Sequence, residues 1–185
     1  RAFLHNFYIC CPQHVLVPMI YPRMFALHEL REHDGVRNKW GVSRLPRMLR
    51  LSMESLKPQG IFLFENGFEI FIWVGRNAPV ELIEQLFGVT QLFNDQNQPA
   101  VLKLLPPPGN DKEGTSFLTK IHNLIQGIRF NRPYYQLVWP IIQGDRNECR
   151  MLCHFCEDGV KSRKPTEMNY VEYLCHLHKQ IQDKL

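Results

Sequence analysis

Residues 60–74 read Gly-Ile-Phe-Leu-Phe-Glu-Asn-Gly-Phe-Glu-Ile-Phe-Ile-Trp-Val, two apolar, β-rich runs around the pair Asn66-Gly67. That pair is favoured in two-residue hairpin loops, so it predicts Glu65 opposite Phe68, Leu63 opposite Ile70 and Ile61 opposite Ile72. Alternation then puts Ile61, Leu63, Ile70 and Ile72 on one face, and Phe62, Phe71 and Trp73 on the other. A hairpin apolar on both faces belongs inside a sheet that is covered twice, which predicts an α/β/α layering. Glu65, at the tip, reads as a solvent residue.

Helical spacing marks the covers. Over 80–93 the stripe is Leu82, Ile83, Leu86, Phe87, Thr90 and Phe93. Over 115–130 it is Phe117, Leu118, Ile121, Leu124, Ile125 and Ile128, behind a Thr115 or Ser116 cap. Over 169–184 Tyr170, Leu174, Leu177 and Ile181 share a face, and Asn169 with Glu172 gives a capping-box start. Extended runs at 24–30, 100–105 and 135–142 supply further strands, and 52–57 a turn or short helix.

Composition narrows the class. The chain has 185 residues, 44% of them hydrophobic and 22% charged, with a mean hydropathy of −0.27, as in an ordinary globular domain. Twelve Phe provide enough to bury that disorder is not expected. A chain of this size needs neither disulfide nor metal to fold. No apolar run approaches the ~18 residues of a membrane span, and Pro12, Gln13, His14 and Pro18 interrupt the most apolar stretch near the start. The chain opens at Arg1, which reads as a piece cut from a longer protein. Residues 1–19 read as the tail of a preceding helical region and 20–185 as one domain. Cysteines at 10, 11, 149, 153, 156 and 175 show no framework spacing, and a reducing compartment is expected.

The net charge of +4 resides in one segment. Arg31, Arg37, Lys39, Arg44, Arg47 and Arg50 face only Glu32 and Asp34 within 31–50. With Gly35, Gly41 and Pro46 and no clean period, 31–50 reads as a long exposed loop, and loops of that length usually carry function. Its basic residues are candidates for contact with an anionic membrane or an acidic partner. Trp40 is the only stacking platform there, too little for a nucleic-acid interface.

The hairpin, with Gly60-Ile61-Phe62-Leu63, Asn66-Gly67 and Phe71-Ile72-Trp73-Val74-Gly75, resembles the gelsolin-like domain family. Ile20-Tyr21-Pro22-Arg23, Glu65-Asn66-Gly67 and the run from Tyr170 to Lys179 sharpen the resemblance. Together these segments are similar to the C-terminal end of the cargo-selecting subunit of the COPII vesicle coat, the Sec-twenty-four family. The resemblance implies a gelsolin-like α/β (α+β) module, a mixed sheet between helices, acting as a non-enzymatic structural and interaction domain of an adaptor for transport from endoplasmic reticulum to Golgi. It further implies a GTPase-activating partner subunit of the inner coat, cargo proteins, and a cytoplasmic location at the membrane of the endoplasmic reticulum and its vesicles. The family's zinc ribbon belongs to an earlier domain, so no cofactor is expected here.

Two metal readings compete with this. Cys153, Cys156, Cys175 and His178 have the arithmetic of a four-ligand zinc site, and a zinc-dependent binding module is the alternative. However, Cys149, Leu152, Cys153 and Cys156 also follow one helix face, where Cys serves as a small hydrophobe, and that reading is preferred. Gelsolin-type repeats that bind calcium use an acid at the end of the first hairpin strand and a Glu early in the next helix. Glu65 or Asn66 with Glu81 or Glu84 would supply too few oxygens. Gly-x-Ser-x-Gly, Walker and His-Glu-x-x-His motifs are absent, and no catalytic residues are expected.

Overall fold

The computed structural model describes residues 8–94, 98–109, 116–130, 132–155 and 170–183. In chain order the elements are α1 (Gln13–Ile20), β1 (Arg23–Ala26), β2 (Met48–Leu49), a 3-10 turn (Met53–Ser55), β3 (Ile61–Glu65) and β4 (Ile70–Val74). There follow α2 (Val80–Phe87), α3 (Phe117–Arg129), β5 (Val138–Ile142), α4 (Glu148–Leu152) and α5 (Tyr170–Gln182). The strands form one mixed sheet in the order β2-β1-β3-β4-β5, antiparallel except for the parallel pair β4-β5. A parallel pair needs a long crossover, and α2 and α3 lie within it. β5 is an edge strand, and an edge tolerates Pro140, which has no N–H to donate.

All ten residues of β3 and β4 are buried. Ile61, Leu63, Ile70, Ile72 and Val74 pack beneath α2 and α3, through Ile83, Leu86, Phe87, Ile121, Leu124, Ile125 and Ile128. On the opposite face Phe62, Phe64, Phe71 and Trp73 are covered by Leu51, Leu56, Met151 and Phe155. The expected two-sided cover is therefore present, but among the described residues the second layer comes from the segments around the 3-10 turn and the short α4. Burying each such side chain contributes about 1.5–3 kcal/mol.

The hairpin loop differs from expectation. Ile61 pairs with Val74, Leu63 with Ile72 and Glu65 with Ile70, leaving a four-residue loop, 66–69, rather than a two-residue turn. Asn66 is the reason: its Oδ1 accepts from the amides of Phe68 (3.0 Å) and Glu69 (2.8 Å), closing an Asx-type turn. The register moves by two residues, so every side chain keeps its predicted face.

Helix α2 stops at Phe87 rather than continuing to Phe93, because Gly88 takes a left-handed φ of 69° and its N–H caps the Glu84 carbonyl. Residues 100–105 form no strand. Leu102 and Leu104 lean on the core while Val101 is 94% exposed, so the alternation is real. The backbone there bonds to helices instead, Leu105 N–H to the Leu86 carbonyl (2.8 Å) and His122 Nε2 to the Leu105 carbonyl (2.7 Å). β1 and β5 are shorter than their predicted runs, and Ser116 is the cap of α3. Gly75, in the Trp-x-Gly motif, lies against Pro58, whose carbonyl oxygen would be 2.0 Å from any Cβ. Only glycine fits there.

The cysteine face is also corrected. Cys149 and Cys153 are exposed, with thiols donating to the carbonyls of Arg146 and Arg150 at 3.3 Å, whereas Met151 and Phe155 enter the core. Between these two short runs of apolar and thiol side chains, the larger apolar groups bury more area. Leu174, Leu177 and Ile181 of α5 are exposed, and Asn169 lies outside the described residues.

Candidate functional site

Glu65 is fully buried, not a solvent residue at a hairpin tip. Its Oε2 accepts from Arg23 Nε (2.9 Å) and Nη2 (2.8 Å). Its Oε1 accepts from Arg132 Nη2 (2.8 Å), Gln136 Nε2 (3.0 Å) and the Gly67 amide (2.9 Å). A buried carboxylate needs this degree of satisfaction to be tolerated. Arg132, whose side chain is 2% exposed, also donates from Nη1 to the Val15 carbonyl at 2.9 Å. One carboxylate thus ties together α1, β1, the hairpin loop and the segment after α3. The calcium reading fails here on geometry: Glu65 is occupied by two guanidiniums, and Glu81 and Glu84 are exposed on α2.

Beside this hub opens a cleft of about 530 Å³. His14 of α1, Arg23 of β1, Gly41, Val42, Ser43 and Leu45, the end of α3 with Arg129, and Arg132 just beyond it line the cleft, together with Arg37. Arg129 donates through Nε (3.1 Å) and Nη2 to the Gln136 carbonyl and lies 4.1 Å from the Tyr135 ring centre. Ser43 is 6% exposed, and its Oγ has no hydrogen-bond partner among the described residues.

The basic segment is more ordered than a period-free loop. Residues 35–44 fold back on themselves through Gly35 N–H to the Arg44 carbonyl (2.9 Å), Asn38 N–H to the Val42 carbonyl (3.0 Å) and a bridge between Arg37 and Ser43. The buried Asp34 carboxylate accepts the Arg31 amide at 3.0 Å, and Lys120 Nζ reaches the Glu32 carbonyl at 2.8 Å. All six candidate cations belong to exposed residues, but they do not form one patch. Arg37 turns to the large cleft, whereas Arg31, Arg47 and Arg50 line a second, 390 Å³ cleft shared with Glu29 and Asp34. Lys39 lies 5.2 Å from the Trp40 ring, and neither it nor Arg44 lines a cleft.

The zinc set is not brought together. Cys153, Cys175 and His178 are exposed, Cys156 lies outside the described residues, and no group of three metal-ligating side chains forms among the described residues. Two titratable groups near the hub are perturbed. Burial lowers the His154 pKa, with Glu69 opposing, and the imidazole Nε2 lies 3.2 Å from Asn66 Nδ2. Burial raises the Tyr134 pKa, Arg132 lowering it and Glu65 and Cys11 adding to the rise.

Sequence reasoning missed Arg23, Arg129, Arg132 and Ser43, and misplaced Glu65. The available signal was a carboxylate within an otherwise apolar β-rich run, which must find cations elsewhere in the chain to be buried.

Comparison with known proteins gives one consistent answer. Residues 42–98 match the gelsolin repeat family. The whole chain aligns with protein transport protein SEC24 C of Arabidopsis thaliana at 27% identity, covering 16% of that protein. Seventy per cent of it aligns with SEC24-2 of Candida glabrata at 30% identity, covering 14% of that protein. The crystal structure of the human COPII-coat protein Sec24c superposes with a TM-score of 0.66 at 29% identity, over 91% of this chain and 20% of that one. The chain thus spans less than a fifth of these curated relatives' length.

Proposed function

The chain is a gelsolin-like region of the Sec24 type, and on that premise we propose that it is part of a COPII-coat adaptor subunit that selects cargo for export from the endoplasmic reticulum. The observation that carries this reading is the likeness to Sec24 proteins along the entire chain, joined to the fold shared with human Sec24c. Within the adaptor this module is a rigid interaction scaffold: its sheet is buried on both faces, so loops and edges are what it presents to partners.

The full protein pairs with the GTPase-activating subunit of the inner coat and acts peripherally on the cytoplasmic side of the membrane. No helix among the described residues is long and apolar enough to cross a membrane. Residues 1–19 belong to a preceding helical region. The docking of α1 through buried Val15 and the Arg132 bond supports a fixed junction rather than a loose linker. The 31–50 segment contacts an anionic membrane or an acidic neighbour, supported by its six exposed cations. Reversing Arg44, Arg47 and Arg50 to Glu should lower coat recruitment to anionic liposomes at low salt without shifting Tm. Unchanged recruitment would remove that role. The adaptor assignment itself is tested by purifying the full-length protein with the coat's GTPase-activating subunit: a stoichiometric complex is expected, and failure to associate would overturn it.

A further inference from the structure

The 530 Å³ cleft has a charge its own residues do not balance. Four guanidiniums, of Arg23, Arg37, Arg129 and Arg132, line it, and among the described residues the only carboxylate bound to any of them is that of Glu65. Three positive charges remain in the lining without a carboxylate among the described residues. Arg37 has no hydrogen bond or ion pair from its guanidinium among the described residues, and Arg23 and Arg129 each keep one amino group, Nη1, unused there. Ser43, 6% exposed as a residue, lines the same cleft, and its hydroxyl has no partner among the described residues. A buried hydroxyl without a partner is costly unless a ligand supplies one.

Part of the lining is apolar and exposed. Val42 is 53%, Leu45 36% and Phe130 80% exposed, and all three line the cleft. A purely ionic surface would not keep such groups beside its cations. The combination suits an anionic group carried on a chain with neighbouring apolar side chains. A single carboxylate would leave most of the charge uncompensated, whereas a phosphoserine or phosphothreonine brings about −1.5 to −2 and three acceptor oxygens. Forked guanidiniums and a hydroxyl donor match that acceptor set.

We propose that this cleft binds a phosphorylated serine or threonine flanked by apolar residues in an extended segment of a protein partner. Arg37 and the Ser43 hydroxyl contact the phosphate directly, Arg23, Arg129 and Arg132 supply the positive field, and Val42, Leu45 and Phe130 hold the flanking side chains. The site stands apart from the membrane role of the 31–50 segment, because only Arg37 of its six cations faces the cleft.

The test is fluorescence anisotropy with the full chain and a labelled, blocked Leu-phosphoserine-Leu peptide, its unphosphorylated form and its Leu-Glu-Leu analogue. The phosphorylated probe should bind and the unphosphorylated one should not. Loss of a charge-assisted bond in Arg37→Glu should weaken binding at least about tenfold, and Ser43→Ala about threefold or more. Arg146→Glu, exposed and outside the cleft, should change binding less than about twofold, and Tm should hold in all three variants. Should Arg37→Glu fail to fold, Ser43→Ala and competition by inorganic phosphate decide the matter. Equal binding of the Glu analogue, equal loss in Arg146→Glu, absence of peptide binding, or Arg37-dependent binding only to vesicles of phosphatidylcholine with phosphatidylserine would each overturn the proposal.

Discussion

Replacing Glu65 with Ala should be among the most destabilising single changes in this chain. The substitution leaves the Arg132 guanidinium, 2% exposed, without its counter-charge, and it orphans the Gly67 amide and the Gln136 amide group. Arg23, 23% exposed, can turn to water, so the penalty centres on Arg132. Breaking a buried pair by removing one partner costs about 3–5 kcal/mol, most of it the desolvation of the charge left behind. Against a total stability of about 5–15 kcal/mol that is a large fraction. Urea unfolding followed by tryptophan fluorescence measures it as a shift in midpoint at constant slope. Glu65→Met with Arg132→Met removes both charges and should recover most of the loss, because apolar replacement of a whole buried pair is often neutral. A single-mutant cost below about 1 kcal/mol would refute the buried hub, as would a double variant no more stable than Glu65→Ala.

Phe71→Ala, which opens a cavity beneath α4 on the second face of the sheet, should cost about 3–5 kcal/mol by the same denaturation assay, and less than 1 would contradict two-sided burial. Cys153→Ala removes an exposed thiol and should stay within about 0.5 kcal/mol, whereas collapse on substitution or on chelation would revive the zinc alternative. His154 has a folded pKa lowered by burial, so the unfolded chain binds more protons as pH falls through about 6.5. Its contribution is present above that value and lost below it. His154→Gln should flatten the fall in Tm between about pH 6.5 and 5, and an unchanged profile would show that His154 does not titrate differently on folding.

The hairpin was legible because period-2 alternation survives a register error of two residues: the Asn66 side chain changed the loop without moving any side chain to the other face. The helices were legible from their stripes, but α2 overran because Thr90 and Phe93 continue the spacing beyond the left-handed Gly88. Residues 100–105 misled for a related reason, since alternating burial arises wherever an extended segment lies on a core, with or without a neighbouring strand. The cysteine stripe failed because α4 is only five residues long, too short for its period to choose the buried side. The site was the least legible part. Glu65, Arg23 and Arg132 are far apart in sequence, and no local pattern announces a pairing that only the fold creates.

Whether the protein works in the vesicle coat is decided most directly by in vitro budding from endoplasmic reticulum membranes with the full-length protein tagged, followed by immunoblotting of the released vesicles. The account predicts that the tag is recovered on the vesicles together with cargo, in a nucleotide-dependent manner. A folded, full-length protein that stays absent from vesicles budded under conditions supporting COPII export would contradict it.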